Sequence, residues 1–154
     1  MDIRVRPADS YDIEEVARLM LAPYEKSRDY NSDLRRTIKG LSMMAGSSEE
    51  RTVLVAEKNE SIIGAVTGQL LISAREGGLS ALVEDLCVEA REPPGPVRLK
   101  LLGTIKSWAR SLGASRILFL AHPAAGAEDG ELARGGWPKD RQEVRRYTNG
   151  YHQD

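Results

Sequence analysis

Apolar residues fall along this chain in two rhythms, one of helical period and one of strand period. Residues 3–7 (Ile-Arg-Val-Arg-Pro) alternate apolar with charged side chains and stop at a proline, which predicts a half-buried first strand. Asp9 or Ser10 then offers a helix cap, and Ile13, Val16, Ala17, Met20 and Leu21 keep helical spacing. Asn31 or Ser32 can cap a second helix through Leu34, Ile38, Leu41 and Met44, closed by Gly46 and the polar run 47–50. The period then shortens. Residues 52–56 and 61–73 are apolar runs of strand type flanking the hairpin signal 57–60, and Gly77-Gly78 supplies the next turn, so a three-strand meander is expected. Gly64 and Gly68, inside the second of these strands, point to a bulge or to close approach of another backbone.

The third strand of the meander, 79–88, carries Glu84 and Asp85 near its middle; in a regular strand these face opposite sides, so only one of them can look into a given cleft. A proline-rich loop follows. From Val97, the apolar positions Val97, Leu101, Ile105, Trp108 and Leu112 recur at intervals of three and four, predicting a helix that ends at Gly113. Residues 115–121 are another short apolar run. Strand, loop, helix, strand make a βαβ unit or its splayed variant, whose loop lies where such units bind ligands. Residues 122–130 are loop-like in composition, 143–148 fit one last strand, and 149–154 form a tail. The expected architecture is α/β: a mixed, twisted sheet with helices on both faces, one domain over residues 1–148.

Around this unit the chain resembles the GNAT acyltransferase superfamily. That family carries a strand like Ile-Glu-Asp-Leu-x-Val, a loop Arg/Gln-x-x-Gly-x-Gly/Ala, and a helix with Leu-Leu, often Trp-Ala-Arg, then Gly. Here Val83-Glu84-Asp85-Leu86-Cys87-Val88 matches the strand, while Leu101-Leu102, Trp108-Ala109-Arg110 and Gly113 match the helix without a gap. The loop between them departs from the family, because Pro93, Pro94, Gly95, Pro96, Val97 and Arg98 fill its six positions. The resemblance implies acetyl-CoA as co-substrate and an amine as acceptor. It places Glu84 as general base, the main chain of Leu86, Cys87 and Val88 along the pantetheine arm, and Gly95 and Arg98 at the pyrophosphate. The second helix is implied to wall the acceptor site.

Two chemical parts expected from the resemblance are altered. Proline has no N–H, so Pro93, Pro94 and Pro96 remove three donors from the anion nest at the helix start. Arg98, with Arg91 or Lys100, offers a side-chain clamp in its place, against which stands the plainer reading of helix-surface cations. The family's tyrosine acid, in Tyr-x-x-x-Gly-Phe, corresponds here to Leu132, which cannot donate a proton, with Trp137 at the aromatic position. Tyr147, Tyr151 or water are the substitutes on offer. His122 ends a strand near the loop; it and His152 form no metal-ligand pattern with Cys87, and Cys87 reads as a packed strand residue rather than a nucleophile.

Composition changes this picture little. The chain has 154 residues, 41% hydrophobic and 29% charged, with a formal net charge of −1, which argues against nucleic acid as a general partner. Arg134, Lys139, Arg141, Arg145 and Arg146 make the C-terminal region locally basic, a pattern read here as a solvated edge. One cysteine excludes an internal disulfide, and neither a signal-peptide core nor a membrane-length apolar run is present, so a cytoplasmic setting is expected. Two functions remain open. One is a degenerate, non-catalytic GNAT-like module, without cofactor, that binds a protein partner or assembles with itself, including as a viral or phage component located in a virion. The other is an active acetyl-CoA-dependent N-acetyltransferase that uses Glu84 as base.

Overall fold

The structure, a computed structural model, describes residues 2–46, 49–121 and 129–147. Its centre is set by two strands rich in β-branched residues, β2 (Arg51–Lys58) and β3 (Ser61–Ser73), joined by a tight turn at Asn59 and Glu60. Both are buried continuously, over 52–56 and 62–68, rather than at alternate positions, as befits strands covered on both faces. With β1 (Arg4–Pro7), β4 (Gly78–Val88) and β5 (Arg116–Phe119) they form one sheet of order β1-β2-β3-β4-β5. Neighbours through β4 are antiparallel, and β5 runs parallel to β4. The sheet is therefore mixed, as the sequence pattern predicts.

Helices cover both faces. On one, α1 (Ile13–Leu21) and α2 (Tyr30–Met44), linked through a 3₁₀ turn at Ala22–Tyr24, bury Val16, Leu34 and Leu41 against Val53, Val55 and Ala65. On the other, α3 (Pro94–Ser111) buries Val97, Leu101 and Ile105 against Leu54, Val66 and Val83, and α4 (Asp129–Arg134) adds Leu132 to the same core. The turn into α1 is held by Arg6, which gives Asp12 two hydrogen bonds of 2.7 and 3.2 Å and reaches Glu57 of β2 at 3.2 Å. Asp12, the residue before α1, takes the place expected of Asp9 or Ser10; the cap of α2 is likewise Asp29, two residues before Asn31.

Three further differences from the sequence expectation have physical causes. First, α3 begins at Pro94, not Val97, because proline is compatible with a first turn whose N–H groups have no intrahelical partner. Second, Gly64 and Gly68 are sites of close approach, while the bulge sits opposite them in β4. There the β3–β4 register slips between Ala65↔Cys87 and Thr67↔Glu84, and Asp85 takes a positive φ of 59°. Third, the described part of the expected last strand, 143–147, is irregular, with Val144 and Tyr147 exposed. Thr148 and the tail 149–154 lie outside the described residues, as does His122. No helix among the described residues is long and apolar enough to cross a membrane.

The two glycines let α3 lie close on the sheet. A Cβ on Gly68 would stand 2.6 Å from Ile105 Cδ1, and one on Gly64 would stand 2.8 Å from Val97 Cγ1 and 3.1 Å from the Cys87 carbonyl oxygen. Overpacking of this kind costs about 1–3 kcal/mol. Gly68→Ala is expected to lower stability by that amount in urea unfolding, and Ile105→Val in the same chain is expected to restore part of it; an unchanged midpoint for the single variant would contradict the packing described.

Candidate functional site

The bulge in β4 builds the floor of a cleft. By pushing one extra residue into the strand at a positive φ, it turns Glu84 and Asp85 toward the same side, and both line a cleft of about 380 Å³ between the sheet and α2. The expectation that only one of the two acids could face a cleft is thus corrected: strict alternation fails where the ladder carries an extra residue. Thr67 lies between them, its Oγ1 2.9 Å from Asp85 Oδ2 and 3.1 Å from the Glu84 carbonyl oxygen, with one proton to give to either. Met20, Leu41, Met43 and Met44 form an apolar wall, and Arg51 and Gln69 complete the rim. The second helix walls this cleft.

Electrostatics in the cleft favour protons. Burial raises the proton affinity of Glu84, and the neighbouring Asp85 charge adds to it. Asp85 is raised by burial, partly offset by the Thr67 hydrogen bond. Asp85 is exposed on the cleft floor, and the protein packed around it is what raises its proton affinity. A carboxylate with raised proton affinity at a cleft wall can accept a proton from a bound amine or pair with a cation. Beside the two acids, the side chains lining it that carry a proton to donate in a hydrogen bond are the Thr37 and Thr67 hydroxyls, the Gln69 amide and the Arg51 guanidinium. Thr67, Asp85 and the methionine wall are the parts that sequence reasoning missed; an aspartate inside a strand, being poor in β-propensity and tolerant of positive φ, was the available signal.

Beyond the bulge β4 parts from β5. The last bond between them is Leu120 N–H to the Val83 carbonyl, 2.9 Å, after which Leu86–Val88 keep β3 on one side and have no strand on the other among the described residues. Leu86 and Val88 pack into the α3-side core, and Cys87 packs on the opposite side. Burial pushes the Cys87 thiol up to about 12, so it stays protonated at neutral pH.

The start of α3 is built differently from an anion nest. The four groups that would lack an intrahelical partner belong to Pro93, Pro94, Gly95 and Pro96, so Gly95 alone has an N–H to give. Arg98 is buried, its side chain 7% exposed, and Nη1 donates to Glu131 Oε2 of α4 at 3.1 Å. The other oxygen of that carboxylate stands 3.1 Å from where a Cβ of Gly95 would be. Neither reading of Arg98 as a surface cation nor one as a free clamp describes this arrangement. Arg91 instead pairs with Glu89 at the surface, 3.0 Å, and Lys100 is exposed. Leu132 is a core residue, 7% exposed; Trp137 meets Phe119 edge-on at 5.9 Å with Lys106 above its ring.

A mixed sheet that opens after a bulge, one helix starting at the opening and two on the reverse face, decides the architecture. This is the GNAT fold. A GCN5-related N-acetyltransferase from Ralstonia eutropha JMP134 shares it at a TM-score of 0.74 and 14% identity, over 95% of this chain and 99% of that one. An integron cassette protein from the mobile metagenome of Cole Harbour Salt Marsh matches at TM-score 0.76 and 19% identity, covering 94% of this chain and 89% of that one. A predicted acetyltransferase from Clostridium acetobutylicum, solved with acetyl-CoA, matches at TM-score 0.70 and 12% identity over 95% and 96% of the two chains. No protein-family model and no curated protein sequence matches the chain. Within this fold the cleft lies on the α2 side of the sheet, Leu86–Val88 have no second strand beside them among the described residues, and the start of α3 has a single backbone N–H, that of Gly95, to offer a diphosphate.

The raised proton affinity of Asp85 has a sign that can be measured. Ionising it is harder in the fold than in the unfolded chain, so its penalty is absent below the ordinary carboxylate range and grows as pH rises through that range. Asp85→Asn is expected to be more stable than the parent at neutral pH, with the gain shrinking on acidification. Unfolding curves at several pH values check this, and a gain independent of pH would contradict it.

Proposed function

We propose that this protein is a GNAT-fold module that does not transfer acetyl groups and acts through contact with a protein partner or with its own copies, as a part of an assembly. The observation that carries this is the Arg98–Glu131 pair at the start of α3, where Gly95 alone among residues 93–96 keeps an N–H. Three missing donors to a charged group, at roughly 1.5–3 kcal/mol each, amount to roughly three to six orders of magnitude in affinity for a diphosphate. Glu131 adds a carboxylate where that diphosphate would bring its own negative charge. Loss of Tyr for Leu at position 132 removes the leaving-group acid of the family pattern as well, and Leu132 serves the core instead.

A second reading, an acetyl-CoA-dependent N-acetyltransferase acting on an amine, is favoured by one specific feature: Glu84 and Asp85 share a cleft in which both bind protons more tightly than usual. In that reading Glu84 is the base. Calorimetric titration with acetyl-CoA separates the two. The contact reading expects no heat of binding at millimolar ligand, whereas saturable micromolar binding with turnover of an amine would establish the enzyme. Glu131→Gln is expected to cost about 1–3 kcal/mol of stability, because Arg98 remains buried with a weaker partner. Arg98→Met, which removes the buried charge, is expected to cost less; equilibrium unfolding of both variants shows whether the pair is ordered as described.

A further inference from the structure

On the α3 side of the sheet, the last turns of α3 and the turn after α4 enclose a hollow of about 340 Å³. Ile117 of β5 and Trp137 give it an apolar side, and Lys106 and Arg110 of α3 give it a cationic one. The two cations stand one helical turn apart on one face of the helix. The turn after α4 carries Trp137 to this place: Gly136 takes a positive φ of 91°, the Trp137 N–H bonds the Leu132 carbonyl at 2.8 Å, and the ring meets Phe119 edge-on. Lys106 Nζ lies 5.3 Å from the centre of that ring.

Like charges one turn apart repel each other. Elsewhere even exposed arginines of this chain, Arg18 and Arg91, meet a carboxylate, at 2.9 and 3.0 Å, whereas no acid lines this hollow among the described residues. The Ser115 hydroxyl at its rim lies 3.3 Å from the Leu79 carbonyl oxygen and 3.4 Å from Glu76, a carboxylate that Arg116 holds at 3.8 Å. A pair of cations on a helix is ordinarily a solvated face, and Arg110 also suits the last turn of α3, where the helix dipole favours positive charge. The concavity is what a solvated face lacks. Here two sets of donors and a half-buried indole converge on one volume, which is the make-up of a small-molecule site.

We propose that this hollow binds a small phosphate monoester carrying an aromatic ring, with the phosphate held by Lys106 and Arg110 and the ring set against Trp137 and Ile117. A guanidinium fork and an ammonium together match the nearly double charge of a phosphate monoester, which a carboxylate does not carry. The indole offers a ring a flat apolar surface, and stacking of that kind adds to the area it covers. At 1.5 Å per residue, Lys106 and Arg110 lie roughly 16 and 22 Å along α3 from Gly95, and the cleft of Glu84 and Asp85 is on the other face of the sheet. The hollow is therefore separate from both places considered above, and the inference stands whether or not the chain transfers acetyl groups.

Heteronuclear NMR on the full 154-residue chain, following the Gly136 amide and the Trp137 indole N–H during titration with phenyl phosphate, tests it. The expected result is a saturable shift of both signals at or below millimolar ligand. Inorganic phosphate, which lacks the ring, and benzoate, which lacks the second charge, are each expected to bind at least about tenfold more weakly. Lys106→Met and Arg110→Gln, at helix positions outside the core, are each expected to weaken phenyl phosphate by at least about tenfold, while Lys100→Met, exposed elsewhere on α3, leaves it unchanged. The same spectra report that each variant is folded. Three results overturn the proposal: no saturable shift at millimolar phenyl phosphate, equal affinity for inorganic phosphate or benzoate, or binding that survives the Lys106→Met/Arg110→Gln double variant.

Discussion

The start of a helix concentrates partial positive charge and unpaired N–H groups, and a protein must set something negative against it or leave it to water. At the start of α3 this chain does two things at once. It fills three of the four positions with proline, deleting the hydrogen-bond donors while keeping the helix, and it brings Glu131 from α4 to the remaining space. Arg98 makes the second move possible, because a carboxylate so near the core needs a counter-charge and the guanidinium supplies one at 3.1 Å. The position of α4 over α3, the burial of Leu132 and the contact of Leu99 with Gly135 are consistent with that one pairing.

The other half of the molecule depends on a backbone irregularity. The slip at Asp85 sets two acids side by side on the α2 face and ends the partnership of β4 with β5 at Val83. Cleft and opening are therefore products of the same extra residue. The apolar wall of methionines opposite the acids is adaptable by chemistry, since unbranched thioethers repack around what they meet. The cleft on the α2 side and the start of α3 are thus in different states, the first lined by two acids and an apolar wall, the second occupied by prolines and the Arg98–Glu131 pair.

Much of the scaffold was legible in the residues. The strand at 79–88, the helix carrying Leu101, Ile105 and Trp108, and the stop at Gly113 follow from periodicity and punctuation, which local sequence records directly. Gly64 and Gly68 announced a close approach, and their counterparts on α3 are the side chains a Cβ would strike. Legibility failed where the cause was distant or conformational. Nothing near Arg98 signals a partner 33 residues later, and Glu131 directly follows a stretch, 122–130, that reads as loop. The slip at Asp85 defeated the rule of alternating faces because a rule of period two has no place for an extra residue. The segment 143–147 has strand composition and no strand, since a strand needs a neighbour as well as a propensity.

The central claim is that a diphosphate has nowhere to dock at the start of α3, and the amide of Gly95 is the reporter closest to it. In a heteronuclear NMR titration with coenzyme A, the account predicts that the Gly95 resonance keeps its position up to millimolar ligand. A saturable micromolar shift of that resonance, accompanied by shifts at the Arg98 and Glu131 side chains, would contradict it.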